Sequence, residues 1–260
     1  SDTLGTFKVT ITEAPATDPL VLGNNAVEGM TVKATRFDWG DLRENQIVMA
    51  KHDYEEWRGA DQLERFKKQY PMVKIEEVTV NVGDPIPTDC DCEITYGDYT
   101  YSLAKSRAAS DGYDVPDGWS VKVVDKTKTS YEDIAASIAG LPIVGLDFAF
   151  DGCDKMTVAP AIPNTVKSYW LTFNGCSSLT TVSSPIYVGG SFFSNTFSGC
   201  SSLTGEIELD GTPEFFNNVF VGAGSENGVY LTGTCDSAVL VEKFNLRHSL
   251  QDDLFNFDLG

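Results

Sequence analysis

The sequence has few of the residues from which catalytic and metal sites are usually built. Its 260 residues include two histidines, His52 and His248, and no GxSxG motif, so a triad of nucleophile, base and orienting group is not expected. Cys90 and Cys92 lie among acidic residues, but their spacing differs from the CxxC-like pairs that are typical of zinc sites. We therefore predict a protein that is not an enzyme, with no catalytic residues, no cofactor and no metal site.

Basic residues are also scarce. The chain has 19 Lys and Arg against 38 Asp and Glu, which gives a formal net charge of -19, and the basic residues form no cluster. Binding to nucleic acid through phosphate neutralisation is therefore not expected. No apolar run approaches the length of about 20 residues that spans a bilayer, and residues 1–30 lack the basic and apolar segments of a secretory signal. We predict a soluble protein that is made in a cytoplasm and does not insert into membranes.

Four copies of one motif follow each other in the C-terminal half. They read FDGCDKMT, FNGCSSLT, FSGCSSLT and a decayed FVGAGSEN, and their starts lie 23, 24 and 23 residues apart. At this period a single copy cannot bury its apolar face alone, so the copies must stack on one another. The residues to which we assign a structural role in the stack are Phe150, Cys153, Phe173, Cys176, Leu179, Phe197, Cys200, Leu203 and Phe220.

Three of the six cysteines, Cys153, Cys176 and Cys200, occupy the same position in successive copies. Stacking would place equivalent residues about 5 Å apart, the spacing of neighbouring strands. The thiols are then expected to form a ladder of small buried apolar groups. Three equivalent thiols cannot all pair with each other, which argues against a disulfide framework.

The segment IPNTVKSYWLTFNGCSSLTTV resembles the repeats of the BspA-like leucine-rich-repeat family. The resemblance covers about residues 141–234, and it departs after Cys200, where LTGEIELDGTP replaces the Ile-Pro step of the repeat. That departure is similar to a variant common in proteins encoded by bacteriophages and prophages of gut bacteria. The residues that carry the match are Ile162, Pro163, Val166, Phe173, Gly175, Cys176, Leu179 and Thr180.

Composition and the resemblance together predict an α+β fold in four parts. In the N-terminal part, apolar spacing predicts a helix over about residues 53–70, and a short helix is predicted over residues 130–139. Two prolines in GDPIPTD mark the first boundary. The predicted parts are an N-terminal α+β domain for virion docking (1–85), a junction module (86–140), a short leucine-rich-repeat, β-solenoid-like domain (141–234), and a C-terminal cap and tail (235–260).

The resemblance implies a non-enzymatic structural protein of a bacteriophage virion that displays an adhesion module on the particle surface. The position would be capsid decoration or head fibre, or tail or baseplate. The N-terminal domain would bind other virion proteins, a homo-oligomer would be compatible with display, and the repeats would bind bacterial surface glycan or protein. The side chains expected to make those surface contacts are Trp170, Tyr187 and Phe192.

Two alternatives remain open from the sequence. A bacterial cell-surface adhesin of the same family would need a secretion signal or an anchor. A polysaccharide-active enzyme would need a pair of carboxylates, and Glu206, Glu208 and Asp210 alternate along one predicted strand. Regular alternation is explained more simply as a polar outer face.

Overall fold

The computed structural model describes residues 20–57, 61–104, 107–108, 114–183, 185–224 and 229–235. Most of their regular structure is β-sheet. The elements are β1 (Val21–Leu22), β2 (Thr31–Asp38), α1 (Glu44–Glu56), α2 (Gln62–Gln69), β3 (Lys74–Val78), β4 (Asp91–Tyr96), β5 (Tyr99–Ala104), β6 (Arg107–Ala108), β7 (Asp114–Val115), β8 (Gly118–Val123), β9 (Ser137–Ile138), β10 (Leu141–Gly145), β11 (Ile186–Tyr187), β12 (Gly205–Asp210) and β13 (Val229–Gly233).

Eight strands form one curled sheet in the order β1-β9-β10-β8-β5-β4-β2-β3. Successive side chains of a strand point to opposite faces, so the register decides which residues share the core. Ile94, Tyr101 and Val121 are paired across β4, β5 and β8 and are all buried. Beside them the indole N–H of buried Trp119 donates a hydrogen bond to the Ile138 carbonyl at 3.0 Å. The inner face of this sheet is therefore apolar, and its one indole donor is satisfied.

The two helices of the described residues pack on β2. Phe66 of α2 is fully buried and contacts the ring of Phe37 edge to face, with the ring centroids 5.6 Å apart. The ring of Trp39 stacks on Phe37 at 5.0 Å, which extends this aromatic cluster. Among the described residues, no helix has the length and apolarity that a bilayer crossing requires.

The predicted fold class is wrong. The described residues are mostly sheet, with one eight-stranded curled sheet, a small parallel sheet and two helices, and an α+β fold with a leucine-rich-repeat solenoid is not what they form. The physical reason is long-range pairing: Ala34 of β2 pairs with both Val78 of β3 and Cys92 of β4. One sheet therefore runs across residue 85, although the division into domains itself stays a prediction.

The predicted helices also differ from the structure. In place of one helix over residues 53–70 there are two, and α1 begins where the Arg43 N–H donates to the Gln46 side chain at 2.9 Å. The helix predicted over residues 130–139 is absent from this described segment, because its N–H groups have partners elsewhere. The Ile134 N–H donates to the Ala161 carbonyl at 3.1 Å, and the Ala136 N–H donates to the Leu20 carbonyl at 2.7 Å.

The motif copies wind into successive turns over residues 146–183 and 185–224, which we call the stack. Alternate N–H groups of one turn donate to carbonyls of the next, as Phe150 does to Thr172 at 2.9 Å and Phe173 does to Thr196 at 2.9 Å. The segments that follow the last three motif copies also pair, and there β11, β12 and β13 form a three-stranded parallel sheet. Further bonds of this set join Leu146 to Ser168, Phe148 to Trp170, Gly152 to Asn174, Tyr169 to Phe192, Leu171 to Ser194, Gly175 to Ser198, Phe193 to Phe215, Asn195 to Asn217, Phe197 to Val219 and Gly199 to Val221.

The motif phenylalanines form a ring ladder inside the stack. Phe150, Phe173, Phe197 and Phe220 are buried, and successive ring centroids lie 5.2, 5.3 and 5.4 Å apart, with interplanar angles of 18°, 10° and 8°. At the sheet end, the ring of Tyr131 meets Phe150 edge to face at 5.3 Å. The stack thus continues the core of the eight-stranded sheet without a break.

Each turn needs two residues in left-handed conformation. One lies two positions before the motif phenylalanine, and the other is the motif glycine two positions after it. A Cβ on Gly199 would lie 3.4 Å from the Gly175 Cα atom, so the glycine position also keeps successive backbones close together. The φ angles are 57°, 54°, 55° and 56° at Phe148, Leu171, Asn195 and Asn218, and 73°, 71°, 76° and 70° at Gly152, Gly175, Gly199 and Gly222.

We expect Phe173→Ala to lower the free energy of unfolding by about 3–5 kcal/mol, because it removes a fully buried ring and leaves a cavity. Phe173→Leu should cost less, since it refills most of the volume. Urea denaturation measures both changes. A loss below about 1 kcal/mol for the alanine variant, well under the usual range for such a cavity, would show that the ring ladder does not hold the turns together.

The left-handed position can be tested at Asn195. We expect Asn195→Val to destabilise the protein by about 1–2 kcal/mol, because a β-branched residue tolerates this conformation poorly. Asn195→Gly is the matched control and should be close to neutral, since glycine adopts the conformation freely. Equal stabilities of the two variants in urea denaturation would contradict the assigned backbone geometry.

Candidate binding surface

The nine repeat residues to which the sequence assigns a structural role lie in the core. Each is buried, and all belong to the apolar cluster that the stack shares with the eight-stranded sheet. They therefore position the outer surface of the stack without being part of it. They are Phe150, Cys153, Phe173, Cys176, Leu179, Phe197, Cys200, Leu203 and Phe220.

The three equivalent cysteines form free thiols inside the stack. The Cys176 thiol donates to the Phe150 carbonyl at 3.1 Å, and the Cys200 thiol donates to the Phe173 carbonyl at 3.1 Å. Burial raises the pKa of Cys153, of Cys176 and of Cys200, the last to about 12. A neutral, buried thiol is a poor nucleophile, so this ladder has a packing role.

The other cysteine pair is also buried. Cys92 lies in β4, Cys90 directly precedes the strand, and both are free thiols. Burial is the main cause that raises the pKa of Cys92 to about 12. Within the part of the chain that the structure describes, no group of three or more His, Cys, Asp or Glu side chains could hold a metal ion.

The row of acidic residues on β12 takes part in strand-to-strand contacts. Glu206 accepts a hydrogen bond from the Thr232 hydroxyl at 2.8 Å, and Asp210 accepts one from the Thr234 hydroxyl. Thr232 lies in β13, which pairs with β12 in parallel, and Thr234 directly follows β13. These carboxylates therefore link neighbouring turns, and a polysaccharide-active enzyme stays an untested alternative.

A line of four aromatic rings crosses the outside of the stack, with one ring from each turn. The ring centroids of Phe148 and Trp170 are 4.8 Å apart, those of Trp170 and Phe192 are 6.3 Å apart, and those of Phe192 and Phe215 are 5.6 Å apart. We call these four residues the aromatic diagonal. The first two contacts are edge to face, an arrangement that aromatic pairs favour.

Three rings of the diagonal are partly exposed and the fourth is buried. Phe148, Trp170 and Phe215 are partly exposed. Phe192 is only 1% exposed and packs with Val115 of β7 and Val144 of β10 in a small apolar cluster against which Trp170 and Phe215 lie. The ring of Phe192 therefore supports its neighbours from below and does not face solvent, in contrast to the expected surface contact.

The sequence found only part of this surface. Trp170 and Phe192 belong to the diagonal, but Tyr187 lies in β11, where its carbonyl accepts a hydrogen bond from the Tyr169 hydroxyl at 2.9 Å. Phe148 and Phe215 were missed. Phe148 and Trp170 come from two other positions of the repeat, so alignment of the copies brings only Phe192 and Phe215 together.

Charged residues adjoin the diagonal at its two ends, where Asp147 precedes Phe148 and exposed Glu214 precedes Phe215, and are scarce beside its two central rings. Lys167 is the only charged residue between positions 156 and 203, and its ammonium donates to the Gly189 carbonyl at 3.1 Å. Beside Phe148, the Asp147 carboxylate accepts a hydrogen bond from the Ser168 hydroxyl. Between the first two motif copies, the Asn174 side-chain amide donates a hydrogen bond to the Asp151 carboxylate at 2.8 Å. Half-exposed rings with fixed polar neighbours can bind a ligand that has both apolar and hydrogen-bonding groups.

Neither a scan against protein-family models, nor a search of curated proteins, nor a search of solved structures found a match to this chain. The resemblance of residues 141–234 to the BspA-like family therefore stays a prediction.

The buried thiols should make the protein lose stability at alkaline pH. The pKa of Cys200 is raised in the folded state from its ordinary value of 9.0 to about 12. In this pH range the thiol ionises in the unfolded chain but stays neutral in the folded protein, and ionisation therefore favours the unfolded chain. The contribution of the buried thiol to the free energy of unfolding is complete below pH 9 and is lost as the pH rises towards 12. We expect Cys200→Ala to reduce the fall in the free energy of unfolding across this range.

Urea denaturation at several pH values between these limits measures the effect. Buried Tyr169, whose pKa burial also raises, contributes a fall common to both proteins, so the difference between the two proteins isolates the thiol. Identical falls would show that the Cys200 thiol is not protected from ionisation by the fold.

Proposed function

We propose that this protein is a non-enzymatic component of a bacteriophage particle that binds the surface of a bacterial cell through the aromatic diagonal. The observation that carries the proposal is the diagonal itself: three partly exposed rings, held by a buried fourth, on a backbone braced by hydrogen bonds between turns. Aromatic side chains dominate the energetics of many binding sites. A rigid support lowers the entropy lost when a ligand binds.

The proposed location on a virion is supported by sequence alone. The repeats resemble a variant common in proteins encoded by bacteriophages and prophages. Residues 1–85 would bind other virion proteins, and a homo-oligomer would increase the number of stacks displayed. Many copies on one particle turn weak single contacts into strong attachment, so an individual stack does not need high affinity.

The first test compares how tightly the purified wild-type protein and its variants bind to bacterial cells. We expect Trp170→Ala to weaken binding by about tenfold or more, because truncation of a central aromatic contact commonly costs over 1 kcal/mol. Trp170→Phe should restore part of the affinity. Val158→Ala is the matched control, because Val158 is an apolar residue of the same stack that is 45% exposed and lies outside the diagonal.

Equal binding by the wild-type protein and Trp170→Ala, with an unchanged unfolding transition, would contradict the role of the diagonal. Immunogold labelling with an antibody against residues 141–234 tests the location. Label at one position of intact virions is the expected result. Label on bacterial envelopes and not on virions would favour the adhesin, and release of sugars from surface polysaccharide would favour the enzyme.

A further inference from the structure

We infer that residues 236–260 of the same chain cover the outer end of the stack as a fifth turn, in register with the four turns before it. This segment lies outside the described residues. The outer end is a different surface from the aromatic diagonal, so its cover is independent of the proposed function. Three observations support a fifth turn: the direction of the last backbone donors, the burial of the last ring, and the spacing of apolar residues in the segment.

The fourth turn directs backbone N–H groups away from the stack. In each of the first three turns, N–H groups at four equivalent positions donate to the following turn, as Phe197 does to the Val219 carbonyl at 2.9 Å. Repetition of this geometry points the equivalent groups of the fourth turn, such as the N–H of Phe220, towards the next position. Within the described residues β13 is also the last strand of the small parallel sheet, and a strand edge is a template for a further strand.

The outer end of the fourth turn is apolar and largely covered. Phe220 is the last described ring of the ladder, and it is only 4% exposed. The ring of Phe197 stacks on one of its faces, so another group has to lie against the opposite face. Leu231 of β13 is buried as well, whereas Phe216 is half-buried. These exposures are those of a single chain, so the cover comes from the chain's own residues.

The spacing of apolar residues identifies the segment that provides the cover. Successive motif phenylalanines lie 23 or 24 residues apart, and Phe244 follows Phe220 by 24 residues. Leu240 stands four residues before Phe244 and Leu250 stands six residues after it, at the two other apolar positions of the repeat. The residues at these two positions in the earlier turns are Leu146, Tyr169, Phe193 and Phe216, and Met156, Leu179 and Leu203.

The same step adds a strand beside β13. Each paired residue of β12 lies 24 positions before its partner in β13, as Ile207 does before Leu231. An equal step from Leu231 reaches Phe255. Ile207 and Leu231 are both buried, so the ring of Phe255 is expected to point into the stack. Leu254 would point outwards, because successive side chains of a strand alternate between its faces.

Two positions of the segment depart from the repeat and fit a terminal turn. Leu246 and Arg247 stand where the four motif copies have glycine, followed by cysteine or alanine. Terminal repeats are commonly atypical, because a terminal turn packs on a neighbour through one face only. Arg247 would lay its aliphatic part on the fourth turn and keep its guanidinium in water. Leu246 would hold the backbone further from the fourth turn than the motif glycines do.

Two adjacent substitutions in the full-length protein test the predicted direction of the side chains. We expect Phe255→Ser to lower the thermal midpoint of unfolding by about 5 °C or more, because it removes a buried ring. Leu254→Ser is the matched control and should shift the midpoint by less than about 2 °C, as surface substitutions usually do. Equal midpoints for the two variants would overturn the fifth turn and favour a separate binding partner for the segment.

A disulfide cross-link identifies the occupant and its register. Thr232 of β13 is paired with Glu208 on one side, and the step of 24 residues places Asn256 on the other. Neighbouring strands lie about 5 Å apart, within the range that a disulfide spans. We expect Thr232→Cys combined with Asn256→Cys to form a link within one chain, seen as a faster-migrating monomer on a non-reducing gel. Glu208→Cys combined with Thr232→Cys is the positive control.

The outcomes separate the possible occupants. A link between two chains in dilute protein would assign the cover to a second copy and overturn the assignment to the same chain. Absence of a link where the control pair forms one would overturn the register of the fifth turn. None of these results changes the binding of cells by the aromatic diagonal, so a failed fifth turn would leave the proposed function standing.

Discussion

The hydrogen bonds between successive turns are the interaction on which the rest of this structure depends. They require the turns to repeat with nearly constant length, because the N–H of Phe173 must find the carbonyl of Thr196 as the N–H of Phe150 finds that of Thr172. Stacked rings and thiols follow from this alignment. So do the two left-handed residues of each turn, since the chain must reverse direction at fixed places in the repeat.

The eight-stranded sheet acts as the template for the first turn. The Val123 N–H at the end of β8 donates to the Ala149 carbonyl at 3.1 Å, and the Thr157 N–H donates to the Thr129 carbonyl at 3.0 Å. The ring of Tyr131 covers that of Phe150 on the same side. The first turn therefore has partners on both faces, as a unit that cannot bury its apolar side alone requires. The aromatic diagonal is rigid because its rings come from turns fixed in this way.

The sequence predicted what depends on local periodicity and missed what depends on distant pairing. The recurring motif identified the buried positions, such as Phe173 and Cys176, because equivalent residues recur in register. The fold class was wrong because the pairing of Ala34 with Val78 and Cys92 leaves no periodic signal. Phe148 was missed because its contact with Trp170 joins two different positions of the repeat, and Phe215 was missed although it shares a repeat position with Phe192. The predicted cap beyond Cys235 lies outside the described residues.

Hydrogen exchange of individual amides in the native protein tests the central claim most directly. The amides of Phe150, Phe173 and Phe197, which donate to the turn that follows, should exchange together with one opening free energy close to that of global unfolding, because the turns open as a cooperative unit. Exchange of any of these amides at the rate of an unstructured peptide would contradict the account, since that turn would then not be bonded to its neighbour.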